Sequence, residues 1–167
     1  YVAWGEDIHK CHREYIQEVI RVPLRLRLLW GAYKNIFSGV TTVVHHNNFY
    51  FDFRIGYPLE VLRKYTWIHS LALDDTLVRK LKAQNGRPCI IHLAEGIDEL
   101  AETELSRLIA LGGLTKDTVL VHGIGLTVND IDRIEKVGAS LVWCPSSNDF
   151  LFHRTTRIEQ ALGRIRV

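Results

Sequence analysis

The sequence predicts an α/β fold in which a parallel sheet is covered by helices. Strand and helix patterns alternate at least three times between residues 66 and 162, which is typical of βαβ units. Three of the predicted strands end at or next to a histidine, namely His69, His92 and His122. Because the carboxyl ends of all strands of a (β/α)₈ barrel converge on one face, we expect a TIM-type barrel. An open doubly wound sheet would rarely need a histidine from each of several strands.

Composition indicates one globular domain with a buried core, since the 167 residues are 47% hydrophobic. The net charge of +2 gives no argument for nucleic acid, and no apolar run approaches the roughly 20 residues of a membrane span. The three cysteines form no paired framework, as is typical of reduced thiols in a cytoplasmic protein. We therefore expect a cytoplasmic protein with a small-molecule substrate and no nucleic-acid or membrane partner; a homo-oligomer is left open.

The beginning of the sequence and its length predict an incomplete barrel. The sequence starts at Tyr1 and contains no methionine, so we expect a fragment or a set of joined ordered pieces. Its 167 residues are also fewer than the roughly 250 typical of eight βα units. We expect one partial barrel domain that lacks the first and last parts, with a helical lead-in at residues 1–38 and strand–helix repeats at residues 39–167.

The first part of the chain predicts helices followed by one strand. Apolar residues near helical spacing predict helix up to about residue 34, and Pro23 predicts a break within it. Residues 39–46, GVTTVVHH, are rich in β-branched side chains and predict a strand. It ends on His45 and His46, of which only one can face the barrel axis. Either can line the site, and His46 is taken as a substrate-binding candidate.

The next two repeats are organised around the motif PCIIHLAE. Residues 66–70 predict a strand ending at His69, and Asp74 and Asp75 open a helix that Gly86 stops. The short apolar run of residues 89–91 then predicts a strand buried on both faces. This strand ends at His92, with Glu95 three residues further on; Asp98 caps the following helix, and Gly112 and Gly113 terminate it.

The last repeats follow the same pattern. Residues 116–123 predict a strand that closes on His122, and Thr127 with Asp130 predicts a capping box for a helix that ends at Gly138. Three further elements are predicted: a strand at residues 139–144, a helix at residues 155–162 and a strand beginning at residue 165.

Histidines at matched strand ends predict a metal site. Neutral imidazole is a common ligand of zinc and iron, so His92 and His122 are the predicted ligands. Glu95 can reach a metal-activated water and relay its proton, which makes it the predicted general acid–base. The simpler interpretation of Glu95 is an acid at a helix N-terminus, where the helix dipole favours negative charge.

Three other residues have both a functional and a structural interpretation. His69 either hydrogen-bonds a substrate or is a half-buried structural histidine. Asn148 either fixes a loop or contacts the substrate. Cys144 lies between Trp143 and Pro145, which favours a packed, inert thiol. We take His69 and Asn148 as substrate-binding candidates.

The segments GVTTVVHH, IIHLAEG, VLVHGIGL and LVWCPSSN resemble, in this order, the amidohydrolase superfamily. They are most similar to the group of cytosine or guanine deaminases, S-adenosylhomocysteine deaminases and triazine chlorohydrolases, and the resemblance covers residues 39–167. It implies a (β/α)₈ barrel with one zinc or iron ion, with His92 on the fifth strand and His122 on the sixth. It also implies that Glu95 shuttles a proton and that His69 orients the substrate.

The implied activity is hydrolysis of a C–N bond, or of a C–Cl bond, in a small heterocycle. Metal-bound hydroxide would attack a ring carbon, and Glu95 would deliver a proton to the leaving group. The family pattern also has a His-x-His pair on the first strand and an Asp ending the eighth, and neither is present. Catalytic zinc usually has three protein ligands, so activity is expected to require ligands outside these residues.

Two alternatives remain at this point. A non-catalytic barrel fragment or degenerate homologue could bind a partner without turnover, and the missing ligands favour this interpretation. A two-metal hydrolase of the phosphotriesterase type would need a bridging lysine at a central strand end, and residues 66–70 contain none.

Overall fold

The computed structural model describes the backbone of residues 2–167 and the side chains from Asp7 onward. The helical prediction for Tyr1 lies outside the described residues. The chain divides into two compact units, one ending at Arg63 and the other spanning Lys64–Val167. Within the described part of the chain, no helix is both long and apolar enough to cross a membrane.

The first unit is mostly helical, as predicted. The break expected at Pro23 is confirmed, because one helix ends at Arg21 and the next begins at Leu24. The strand predicted at residues 39–46 is much shorter in the structure, since its only ladder is two residues long. The elements of this unit are α1 (Val2–Cys11), α2 (Arg13–Arg21), α3 (Leu24–Phe37), β1 (Thr42–Val43), a 3₁₀ helix (Phe51–Arg54) and β2 (Glu60–Val61), which pairs in parallel with β1.

An aromatic cluster around Phe53 accounts for the position of His45. The Phe53 side chain is buried, and its ring centroid lies 4.8 Å from that of His45 and 4.9 Å from that of Tyr57. The His45 ring also lies 5.4 Å from the Tyr50 ring. Burial lowers the pKa of His45, so the ring packs as a neutral aromatic group.

The second unit is a parallel α/β structure, which confirms the predicted fold class at that level. Its four strands are adjacent in chain order, and every neighbouring pair is parallel. The elements are β3 (Thr66–Ile68), α4 (Leu77–Lys82), β4 (Cys89–Leu93), α5 (Glu99–Ala110), β5 (Thr118–His122), α6 (Val128–Val137), β6 (Ser140–Val142), α7 (Pro145–Phe152) and α8 (Ile158–Ala161).

The two faces of this sheet differ in burial. One face packs against the helices, and its strand side chains Ile68, Ile91 and Leu120 are fully buried. Helix residues of the same core include Leu105 and Ile134. The opposite face is largely apolar but less buried. Its half-buried residues are Trp67, Ile90, His92, Val119, Val121 and Ser140, and Val142 is exposed.

The predicted helix starts of α5 and α6 are confirmed. The Asp98 carboxylate accepts a hydrogen bond from the Ala101 amide at 2.9 Å. Thr127 and Asp130 form a reciprocal capping box, which satisfies amides that lack a partner within the helix. Gly138 ends α6 with a φ of +79°, a conformation that glycine adopts without the cost of a Cβ.

Near the C-terminal end, all three predicted elements differ in the structure, and one further helix is present. The predicted strand at residues 139–144 ends at Val142, and Pro145 begins α7, which the sequence did not predict. Proline is well suited to the first helical position, but the following Ser, Ser and Asn are poor helix formers. Helix α8 is shorter than residues 155–162, and the strand predicted at residue 165 is a single bridge between Ser140 and Arg166.

Asp74 holds the connection between β3 and α4. Its carboxylate accepts hydrogen bonds from the Thr76 amide at 2.9 Å and from Lys80 Nζ at 2.7 Å, with only 6% of the side chain exposed. The Lys80 Nζ atom also lies 3.6 Å from the Trp67 ring centroid. Burial alone raises the pKa of Asp74, but the bonds from Lys80 and Thr76 outweigh it and lower the pKa to about 2.

We predict that Asp74→Asn lowers the free energy of unfolding at pH 7 by about 2 kcal/mol, because ionised Asp74 is stabilised only in the folded state. A lowered pKa stabilises the folded protein at pH values above the ordinary pKa of 3.8, and this stabilisation is lost as the pH falls through about 2. The difference between variant and wild type should therefore shrink to less than half at about pH 2.5. Denaturant unfolding followed by circular dichroism measures it, and exposed Asp75→Asn is the control; equal losses in both variants contradict the assignment.

Candidate active site

The carboxyl ends of β3, β4 and β5 bring three histidines together. The ring centroids of His69 and His92 are 5.4 Å apart, and those of His92 and His122 are 5.3 Å apart. These residues come from successive parallel strands, whose ends share one edge of the sheet. The expected clustering of chemically capable side chains at this edge is therefore found in the structure.

The His122 side chain is brought towards His92 by an unusual backbone conformation. In the β4–β5 register, His92 pairs with Val121, whereas His122 pairs with Leu93. Simple alternation would therefore put the two histidines on opposite faces. The φ angle of His122 is +75°, outside the β region, so the alternation stops at Val121. Such left-handed residues carry a cost of about 1–3 kcal/mol and concentrate at functional sites.

His92 is oriented by the backbone of β3. Its Nδ1 atom lies 2.8 Å from the carbonyl oxygen of His69. A carbonyl only accepts hydrogen bonds, so Nδ1 carries the proton and Nε2 is the lone-pair nitrogen of the neutral ring. Histidine ligands of metals usually have this arrangement, with one nitrogen donating to a carbonyl and the other facing the metal.

His122 is held in the same way by buried polar groups. Its Nδ1 atom donates to Asn148 Oδ1 at 3.0 Å, and Asn148 is fully buried. The Asn148 amide group also donates to Thr156 Oγ1, and the Thr156 hydroxyl donates to the carbonyl oxygen of His122. Burial lowers the pKa of His122, against a smaller opposite effect of Asn148. The ring is therefore neutral at pH 7, with Nε2 as its lone-pair nitrogen.

Glu95 lies next to the lone-pair nitrogen of His122. Its Oε1 atom is 3.4 Å from His122 Nε2, and only 10% of each side chain is exposed. Burial raises the pKa of Glu95 to about 7, and the nearby carboxylate of Glu104 adds to the effect. A carboxyl group with a pKa near 7 can both accept and donate a proton at neutral pH.

The residues fit part of a one-metal site. Two imidazole rings, both held through Nδ1 so that Nε2 is the lone-pair nitrogen, match the nitrogen donors that zinc prefers. Among the described residues, however, no three or more His, Cys, Asp or Glu side chains form a group that could hold a metal ion. His92 and His122 would thus supply two of the three protein ligands usual for catalytic zinc.

The remaining predicted site residues fall into different positions. His69 lies at the site edge and contributes its carbonyl oxygen to His92, while Asn148 contacts His122 from within the core. Direct contact of either with a substrate stays a prediction. His46 follows β1 in the first unit, and its substrate-binding role also stays a prediction. Burial raises the pKa of the half-buried Cys144 thiol, in agreement with the prediction of an inert group.

Three supporting residues were not singled out from the sequence. Thr156 supports His122, and Glu104 accepts a hydrogen bond from the Ala94 amide. Gly125 allows close packing, because a Cβ there would lie 3.0 Å from the backbone of Ala101. A signal for Glu104 was present: it lies three residues after buried Ala101 on the apolar stripe of α5, where a carboxylate needs a partner.

Comparison with known proteins gives one partial similarity to report. No protein-family model matches the chain. The chain is similar to the 5-methylthioadenosine/S-adenosylhomocysteine deaminase of Thermococcus sibiricus, with 31% identity over 94 residues. The match covers 52% of this chain and 22% of that deaminase, so the chain spans about a fifth of the length of this relative. This similarity loosely supports the amidohydrolase resemblance.

We predict that Asn148→Ala lowers the free energy of unfolding by about 1–3 kcal/mol, because it leaves the buried Nδ1–H of His122 without its acceptor. The proton of His122 should also lose its preference for Nδ1, which ¹⁵N chemical shifts of the ring detect. Exposed Asn129→Ala should change stability by less than about 0.5 kcal/mol. Unchanged ring shifts in Asn148→Ala would show that Asn148 does not orient the ring.

Proposed function

We propose that the chain contains the metal-binding and proton-transferring part of a hydrolase that removes an amine from a small heterocycle. The observation that carries this proposal is the meeting of His92, His122 and Glu95 at one edge of the sheet, with Glu95 Oε1 3.4 Å from His122 Nε2. Two supported imidazoles and a buried carboxyl group are the parts that metal-assisted hydrolysis needs.

His92 and His122 would hold the metal ion through Nε2. Zinc fits these nitrogen donors best, and iron is the second candidate. When bound, the ion would act as a Lewis acid that lowers the pKa of a water molecule towards neutrality. The protein contributes the orientation of each ring, since the His69 carbonyl and the Asn148 side chain hold the two Nδ1–H groups.

Glu95 would move the proton. Its carboxylate accepts a proton from the attacking water and then delivers it to the departing nitrogen, so that the amine leaves as a neutral group. The low exposure of the side chain protects the group from exchange with bulk water. Positioning the carboxyl group beside the metal-ligand nitrogen of His122 is therefore the main contribution of the β4–α5 connection.

The name of the relative supports a proposal for the substrate class. Its name describes a deaminase of 5-methylthioadenosine and S-adenosylhomocysteine, both of which carry an exocyclic amine on an adenine ring. We therefore propose an aminated, purine-type heterocycle as the substrate. Chloride release from a chlorinated heterocycle is the second outcome that the same chemistry allows.

We also propose that the sheet is part of a (β/α)₈ barrel. Four strands follow each other in chain order, as in a barrel, whereas a doubly wound sheet reverses its order at a switch point. The core-forming helices pack against one face of the sheet, and the other apolar face is only half-buried. A barrel interior would bury that second face.

We predict that the chain binds at most about one Zn²⁺ per molecule. His92→Ala and His122→Ala should each weaken Zn²⁺ binding by more than the loss of about 10–100-fold that is typical when an outer-shell partner is removed. Each variant removes one nitrogen donor. Titration calorimetry with Zn²⁺ measures the affinity, and exposed His12→Ala is the control for loss of an imidazole. Unchanged affinity in both site variants would exclude ligation by these histidines.

We predict that Glu95→Gln in the full-length protein retains the metal but loses about 10²–10⁴-fold in ammonia release from adenine nucleosides, because glutamine cannot carry the proton. Exposed Glu99→Gln should retain turnover. Ammonia is measured by a coupled assay and the metal by elemental analysis. Near wild-type turnover of Glu95→Gln would leave Glu95 with only a structural role, and absence of turnover in the wild type would favour the non-catalytic alternative.

A further inference from the structure

Glu104 is a half-buried carboxylate on the core-facing side of α5. It lies between Ala101, Leu105 and Leu108, all of which are buried. Its Oε2 atom accepts a hydrogen bond from the Ala94 amide at 2.6 Å. An acid at such a position is costly unless it has a strong partner, and a bond of this length from an amide to a carboxylate is one.

The backbone conformation of Ala94 determines the direction in which the chain turns before Glu95. Its φ angle is +53°, which costs an L-residue other than glycine about 1–2 kcal/mol. Both of its backbone polar groups are engaged, since the amide donates to Glu104 and the carbonyl oxygen accepts from the Gly125 amide at 2.9 Å. These two bonds hold Ala94 between α5 and the β5–α6 connection.

The helix cap of α5 does not require Glu104. Asp98 already caps the helix through the Ala101 amide, and Glu104 lies in the middle of the helix, where backbone amides have helical partners. Among the described contacts, the only hydrogen bond that the Glu104 carboxylate accepts comes from outside the helix, from the Ala94 amide at the strand end. The Glu104 carboxylate therefore connects α5 to the β4–α5 turn and is not needed to cap the helix.

We propose that Glu104 is a positioning residue. By holding the left-handed backbone conformation of Ala94, it directs the Glu95 side chain towards the site. The proposal rests on the proposed function, because it assigns the same proton-transfer role to Glu95. Glu104 itself contacts the backbone and takes no part in the proton transfer. Without its carboxylate, Ala94 should relax towards an ordinary φ, which rotates the following residue away from His122.

Three variants separate positioning from general stability. Glu104→Ala removes the acceptor, whereas Glu104→Gln keeps an acceptor oxygen of similar reach, and Glu102→Ala removes an exposed acid from the same helix. Two readouts do not depend on turnover: exchange of the Ala94 amide hydrogen, and the chemical shifts of the Glu95 amide and side-chain carboxyl carbon. Both are measured by NMR on the labelled chain and assigned with the help of Glu95→Gln.

We expect Glu104→Ala to speed exchange of the Ala94 amide at least about tenfold, because a hydrogen bond to a charged group is lost, and to shift the Glu95 signals. Glu104→Gln should restore most of both effects, and Glu102→Ala should show neither. In the full-length protein, Glu104→Ala should lower kcat about 10–100-fold with little change in KM, because a small misplacement of a catalytic group affects mainly the chemical step.

Unchanged Ala94 exchange in Glu104→Ala overturns the proposal. Faster exchange with unchanged Glu95 signals also overturns it, since Glu104 would then only fix the local backbone. If the NMR changes occur but the wild-type protein releases no ammonia, the proposed function is wrong, whereas the conclusion that Glu104 holds the turn at Ala94 remains valid. A pure positioning role is contradicted if kcat falls equally in Glu104→Gln and Glu104→Ala while the Ala94 amide of Glu104→Gln stays protected from hydrogen exchange.

Discussion

The parallel pairing of β4 with β5 is the constraint on which the candidate site depends. The register aligns Leu93 with His122 and places both strand ends at one edge. The ladder continues past the strands, because the Gly123 amide donates to Leu93 and the Gly125 amide to Ala94. The loops that follow the two strands, including the one that carries Glu95, are therefore held by hydrogen bonds that continue the ladder of the sheet.

Each reactive side chain in the site is oriented by a group behind it. The His69 carbonyl oxygen accepts from His92, and the buried Asn148 accepts from His122. These acceptors determine which ring nitrogen carries the proton, and hence which nitrogen is available to a metal. Asn148 belongs to α7, so an element that looks peripheral in the sequence supports the centre of the site.

The local patterns in the sequence predicted the second unit well. Strands β3, β4 and β5 were found because they are short apolar runs between breaks, and the caps at Asp98 and Thr127 were found because capping is local chemistry. Prediction was weaker where pairing decides the structure. Strand β1 is only two residues long, although GVTTVVHH has strong β propensity, because β2 offers a partner of only two residues.

The sequence by itself determined the alternation of strands and helices, the parallel class of the sheet and the candidate residues His92, His122 and Glu95, since all of these depend on residue type and spacing along the chain. Only the tertiary structure decided how they meet. The positive φ angles at Ala94 and His122 are imposed by contacts between elements, and no short-range pattern encodes them. The same holds for Glu104, whose partner is ten residues away on a neighbouring strand end.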